Sequence, residues 1–88
     1  PASFSVAQNS PNPFNPTTTI SFSLADAGNT SVEVFNVAGQ KVATLADGFM
    51  TAGSHSVVWD ASSFSAGLYF YTVKAGGHTR TMKMTLLK

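Results

Sequence analysis

The sequence predicts an all-β chain, folded as a two-sheet antiparallel β-sandwich of about seven short strands. Three observations carry this prediction. Apolar and polar residues alternate at strand period in several stretches, ISFSL (20–24) and VEVF (32–35) among them. Turn signals built on glycine, asparagine and aspartate recur about every 8–12 residues. No window of helix length shows helical periodicity.

The elements follow in order. Residues 3–7 alternate, with Phe4 and Val6 on one face. SPNPFNP (10–16) places three prolines within six residues, Pro11, Pro13 and Pro16. Proline fixes φ and lacks a backbone donor, so this segment reads as a rigid, extended corner outside any ladder. Phe14 in its middle is expected to press onto the end of the sandwich; a rigid crossover between sheets is the plainer reading. Residues 19–24 form the next strand, with Ile20, Phe22 and Leu24 inward. Asp26-Ala27-Gly28-Asn29 is a turn, and 30–37 a strand with Val32 and Val34 buried. Ala38-Gly39-Gln40 is a tight turn, and 41–45 a short strand anchored by Val42 and Leu45. A loop carrying Phe49 and Met50 follows. Residues 54–60 are a strand with Val57 and Trp59 inward, and 61–66 a loop. Residues 67–75 and 78–87 form a hairpin across Gly76-Gly77, a dipeptide suited to a two-residue primed turn.

SAGLYFYTV (65–73) sharpens the architecture to an immunoglobulin-like sandwich. Gly67 precedes Tyr69 by two positions, and Tyr71 follows by two. A tyrosine at such a strand entry hydrogen-bonds back to the preceding loop, and the residue two further on points into the core. Tyr71 stands where antibody domains keep a cysteine. Trp59 lies one strand earlier and is expected in the core, so the likeness is one of architecture.

The chain has 88 residues, enough for one domain spanning 1–88. Only 10% of residues are charged, against about 25% in ordinary soluble domains. Serine and threonine, 21 together, take their place, as in β-rich extracellular modules. Without cysteine no disulfide or thiolate zinc site forms. The charge is uneven. Residues 1–60 sum to −3, and 61–88 carry Lys74, Arg80, Lys83 and Lys88 with no acid. This is a solvated basic strand pair or a docking edge for an acidic partner or a membrane surface. Four cations without a reading motif do not make a nucleic-acid binder. No apolar run is long enough to span a membrane. The chain lacks an initial methionine and is expected to be the C-terminal part of a larger precursor, with MTLLK as its natural end.

Catalytic patterns are missing. Asp26, Glu33, Asp47 and Asp60 are scattered. His55 and His78 lie on separate strands. His55, Ser56 and Asp60 contain triad residue types, but adjacent residues of a strand face opposite ways. There is no nucleophile elbow or phosphate loop. No enzyme activity, metal or cofactor is expected. Phe35 and Phe70 fall out of phase with the core, and a row of exposed aromatics could stack on sugars, so a carbohydrate-binding module is an alternative. In the last strand Met82, Met84 and Leu86 share the core face. Leu87 falls on the polar face beside Lys83, and with Lys88 it is a candidate partner contact. This strand is expected to be an edge open to strand addition.

QNSPNPFNPTTTISFSL (8–24), VEVFNVAGQKVATLADG (32–48), GSHSVVWDASSFSAGLYFYTVKAGG (53–77) and TRTMKMTLLK (79–88) together resemble the type A C-terminal sorting domain of the type IX secretion system of Bacteroidetes and related bacteria. The pattern is also similar to the immunoglobulin-like domain of the flagellar hook-capping protein. The first resemblance implies a non-catalytic sorting signal at the end of a secreted cargo. It implies recognition by the outer-membrane translocon after export to the periplasm, with the cell surface or the medium as destination. A sortase-like peptidase would remove the domain, leaving the cargo joined to lipopolysaccharide or released. Pro11, Pro13, Phe14, Lys83, Leu87 and Lys88 are the expected partner contacts, with Trp59, Gly67, Tyr69 and Tyr71 as structural residues. The alternative is an immunoglobulin-like spacer module in a secreted multidomain protein.

Overall fold

Seven strands make two antiparallel sheets in the computed structural model, which describes residues 3–87. They are β1 (Ser5–Val6), β2 (Thr17–Leu24), β3 (Gly28–Phe35), β4 (Lys41–Met50), β5 (Gly53–Asp60), β6 (Gly67–Ala75) and β7 (His78–Leu86). One sheet has the order β1-β2-β5 and the other β4-β3-β6-β7. The inward residues of both sheets alternate with outward polar ones and close the core between the layers. From β2 come Ile20, Phe22 and Leu24; from β3, Val32 and Val34; from β6, Tyr69, Tyr71 and Val73; from β7, Met84 and Leu86. Met82, expected with the last two, is half-buried nearer the strand's exposed end.

Several boundaries differ from the sequence expectation. β2 starts at Thr17, because pairing with β5 continues through Thr17 and Asp60, and Ala61 still donates to the Pro16 carbonyl at 2.9 Å. β3 begins at Gly28 and stops at Phe35. Asn36 then builds the turn: its side-chain oxygen accepts from the amides of Ala38 and Gln40, both at 3.0 Å, and Gly39 takes φ +82°. The largest difference is β4, which runs on to Met50 where a loop was expected after residue 45. Its register on β3 shifts between Val32 and Glu33 and again between Val34 and Phe35. Each shift inserts one residue and flips the side-chain alternation. Val42 and Leu45, of opposite parity, can therefore both pack on the core, and an alternation test cannot see such a strand. Phe49, near its end, is exposed.

The β6–β7 hairpin turns at Gly76-Gly77, with Gly76 at φ +59°. Phe35 and Phe70 are direct cross-strand neighbours on the outer face of the four-stranded sheet, both half-buried, with Lys83 next in the same row.

Candidate recognition site at the proline corner and the last strand

The proline segment leaves β1, bridges to β2 and ends against the last strand. Ser10 exchanges two backbone hydrogen bonds with Thr19, at 3.0 and 2.9 Å. The peptide bonds before Pro11, Pro13 and Pro16 are all cis. Beneath them lies a buried polar knot. The Asn9 side-chain amide donates to Thr18 Oγ1 (2.9 Å) and to the Pro11 carbonyl (3.2 Å). Thr18 Oγ1 donates to the same carbonyl at 2.9 Å, and Gln8 Nε2 donates to Asn9 Oδ1 at 2.6 Å. Asn9 and Thr18 are nearly inaccessible, so these bonds replace the water that their polar atoms lost. The knot holds a donor-poor chain that cannot hold itself by a ladder.

Phe14 then lies beside β7 in a parallel bridge to Leu86. Its amide donates to the Thr85 carbonyl at 3.0 Å, and its carbonyl accepts from the Leu87 amide at 2.8 Å. Asn12 Oδ1 accepts from the Thr85 amide at 3.0 Å, and Gln8 Nε2 donates to the Lys83 carbonyl at 2.7 Å. These bonds take up the outward-facing Lys83 carbonyl, the Thr85 amide and carbonyl, and the Leu87 amide just past the strand. The open edge expected for the last strand is therefore closed between Lys83 and Leu87, because the N-terminal segment has taken its place in the ladder. Towards its start β7 keeps outward-facing main chain at Thr79 and Thr81, on either side of Arg80.

The Phe14 ring is 1% exposed. It packs 5.7 Å from the Trp59 ring, which sits 5.3 Å from both Phe64 and Tyr69. This aromatic cluster plugs one end of the sandwich. Placed among the partner contacts by sequence, Phe14 has no surface to offer; its ring is core and its backbone is the clasp. Trp59 is 3% exposed and unable to stack on a sugar. The Tyr69 hydroxyl donates to the Ser65 carbonyl at 2.7 Å, in the loop before β6. Gly67 opens β6 at φ +144°, a conformation that side-chain-bearing residues rarely adopt, although open space surrounds it. The Tyr71 hydroxyl crosses the core to donate to the Ala7 carbonyl at 2.6 Å. Burial pushes its pKa above the ordinary value, and a hydrogen bond with the Asn9 backbone partly offsets that. Tyr71 thus ties the four-stranded sheet to the strand that feeds the proline corner.

Pro11, Asn12, Pro13, the Lys83 side chain and Leu87 are among the groups that reach solvent here. Leu87 is 50% exposed, directly after the buried Leu86. Lys88 lies outside the described residues. Sequence reasoning reached the prolines, Phe14 and Leu87 but missed Gln8, Asn9, Asn12 and Thr18. The available signal was Thr18 itself, a polar residue in the inward phase of Ile20 and Phe22, which needs a buried partner.

The other charges sit elsewhere. Lys41 and Lys74 both pair with Glu33, at 3.2 and 3.9 Å, on the outer face of the four-stranded sheet. The Asp60 carboxyl lies below its ordinary pKa, held by the backbone and side-chain hydrogen bonds of Ser62. Among the described residues no three His, Cys, Asp or Glu side chains gather as a metal site.

Residues 10–87 match the family described as the secretion system C-terminal sorting domain, and the match spans most of the chain. No curated protein matches it.

Proposed function

The chain belongs to the family of secretion system C-terminal sorting domains, and from that membership we propose that it acts by being recognised, without catalysis, as the export signal of a cargo joined ahead of it. The outer-membrane translocon of the type IX system is the reader in this proposal. A sortase-like peptidase separates domain from cargo at the surface.

The observation that supports a recognition role is the clasp. It brings the proline corner and the end of the chain, far apart in sequence, onto one surface. There the exposed Pro11 and Pro13 belong to the segment whose Phe14 fixes the amide of Leu87, an exposed apolar side chain. A preordered apolar contact loses little conformational freedom on binding. Lys83 adds positive charge, which suits an acidic rim on the partner, and Lys88 follows Leu87 in sequence. Phe14 serves this surface from below by fixing its backbone. Gly67, Tyr69, Tyr71 and Trp59 hold the end of the sandwich on which it rests.

The test is a reporter fused ahead of residues 1–88 in a host that carries the secretion system. A sorting domain takes the reporter to the cell surface or the medium. A spacer module leaves it in the periplasm, and that outcome would end the proposal.

A further inference from the structure

The two sheets have four edge strands, and the structure protects three of them. β1 is two residues long. β4 is interrupted by its two register shifts and carries Lys41 and Asp47. β7 is closed over its C-terminal half by Gln8, Asn12 and Phe14, and the rest is flanked by His78 and Arg80. Charges, bulges, shortness and cover are the ordinary means by which proteins keep other strands off their sheets.

β5 has none of them short of its last residue. It pairs with β2 over eight residues in unbroken register, with no proline and no lysine, and its single carboxylate is Asp60 at the end. The bond from the Ala61 amide to the Pro16 carbonyl sets the phase of this ladder. Thr18 with Trp59, Ile20 with Val57, Phe22 with His55 and Leu24 with Gly53 are then the hydrogen-bonded pairs. The amides and carbonyls of Ser54, Ser56, Val58 and Asp60 point away from β2, and no neighbouring strand lies beyond them among the described residues. The side chains of these residues stand on the outer face. Val58 is 61% exposed. Beside it Ser5, Ala7, Ser21, Ser23, Ser54 and Ser56 line a shallow depression of about 470 Å3.

We infer that the β5 edge is a strand-addition site for an extended segment of a partner protein, with apolar side chains at alternate positions. The segment's main chain would complete the ladder at Ser54, Ser56, Val58 and Asp60. Its outer-face side chains would lie over the depression, where the small serines leave room, with Val58 as the apolar neighbour. A second copy of this domain fits the edge less well. Two rigid sandwiches meeting rim to rim touch along a strip of about 27 Å by about 10 Å. That falls short of the roughly 1,200 Å2 of total surface that a stable pair buries. A free segment can cover edge and depression together. The chain enters the three-stranded sheet at β1, the opposite edge, so a cargo joined there leaves β5 clear.

The inference rests on the sorting role and makes the partner of that role a strand donor. Ser56→Pro deletes an amide that β2 does not use, and proline is tolerated on an edge facing solvent. Val58→Lys places a charge on the same edge. Thr44→Lys, which adds the same charge on the exposed outer face of the other sheet, is the control. Each is read by thermal melting and by export of the fused reporter. Both β5 variants are expected to fold and to lower export about tenfold or more, the scale of one or two lost interfacial hydrogen bonds; Thr44→Lys exports normally. Should Ser56→Pro fail to fold, Val58→Lys decides alone. Normal export from the folded β5 variants overturns the edge site and leaves the sorting role standing. If the unaltered fusion is not exported, the sorting role fails and the edge proposal with it. A domain that sediments as a dimer, and as a monomer after Ser56→Pro, would give the edge to a second copy and overturn the partner named here.

Discussion

The carbonyl of Phe14 accepts a hydrogen bond of 2.8 Å from the amide of Leu87, so a residue inside the proline segment is laced to one at the far end of the chain. The Phe14 ring points inward to Trp59, while the Leu87 side chain points out. One residue anchors the clasp, and the other shows it to solvent.

Phe14→Ala keeps the two backbone bonds but empties the plug. Its expected cost is about 3–5 kcal/mol, the usual range for a buried phenylalanine. A domain of this length has about 4–13 kcal/mol in total. Urea unfolding monitored by Trp59 fluorescence measures it; a loss under about 1 kcal/mol would show that the ring does not hold the corner.

Trp59→Ala is expected to cost about 3–5 kcal/mol as well. Trp59 and Phe14 are in contact, so the double variant should be less destabilised than the two single losses added together. A double-mutant cycle reads this directly, and strict additivity would mean that the two rings do not form one cluster.

Asn9→Ala removes the donor shared by Thr18 Oγ1 and the Pro11 carbonyl. Loss of a buried polar partner of this kind costs about 1–3 kcal/mol. Amide exchange at Leu87 and Thr85 should quicken in the same variant, because their acceptors lie on the segment that Asn9 holds. Unchanged exchange there would separate the knot from the clasp.

Tyr71 makes stability depend on alkaline pH. Its phenol titrates at about pH 10 in the unfolded chain and higher in the folded one, because burial disfavours the anion. The stability it contributes is therefore present below the unfolded value and is lost as pH rises past it toward the folded value. Tyr71→Phe should be less stable than the parent at neutral pH, since the Ala7 carbonyl loses its donor, and should fall less steeply above about pH 10. Melting curves of the two proteins at neutral and alkaline pH supply the comparison; parallel declines would count against the assignment.

Leu87→Ser combined with Lys88→Ser should change stability by less than about 1 kcal/mol, as surface changes usually do. Export of the fused reporter should fall markedly. A folded double variant exported at the parent level would remove the end of the chain from the recognition surface.

Much of this architecture is written in local pattern. The alternation ISFSL puts Ile20, Phe22 and Leu24 on one face because strand side chains have period two, and the hairpin at Gly76-Gly77 follows from turn chemistry between neighbours. The prolines announce a segment that must be held by something other than its own ladder. Tyr69 is legible too, since its partner Ser65 is only four residues away. β4 was not legible, because two bulges break its period and only pairing with β3 keeps it a strand.

Which edge is closed and which is open was decided only by the tertiary structure. A strand's sequence states which way its side chains face, but not whether another segment will arrive beside its main chain. Alternation alone leaves β7 open, and Gln8, Asn12 and Phe14 close it from the other end of the chain. It gave β5 no edge role at all, yet β5 lies at the rim because the chain crosses to the other sheet before and after it. Contacts between distant segments have no period and no spacing to betray them. They exist because Asn9, Tyr71 and Trp59 bring the two ends of the chain to one face of one core.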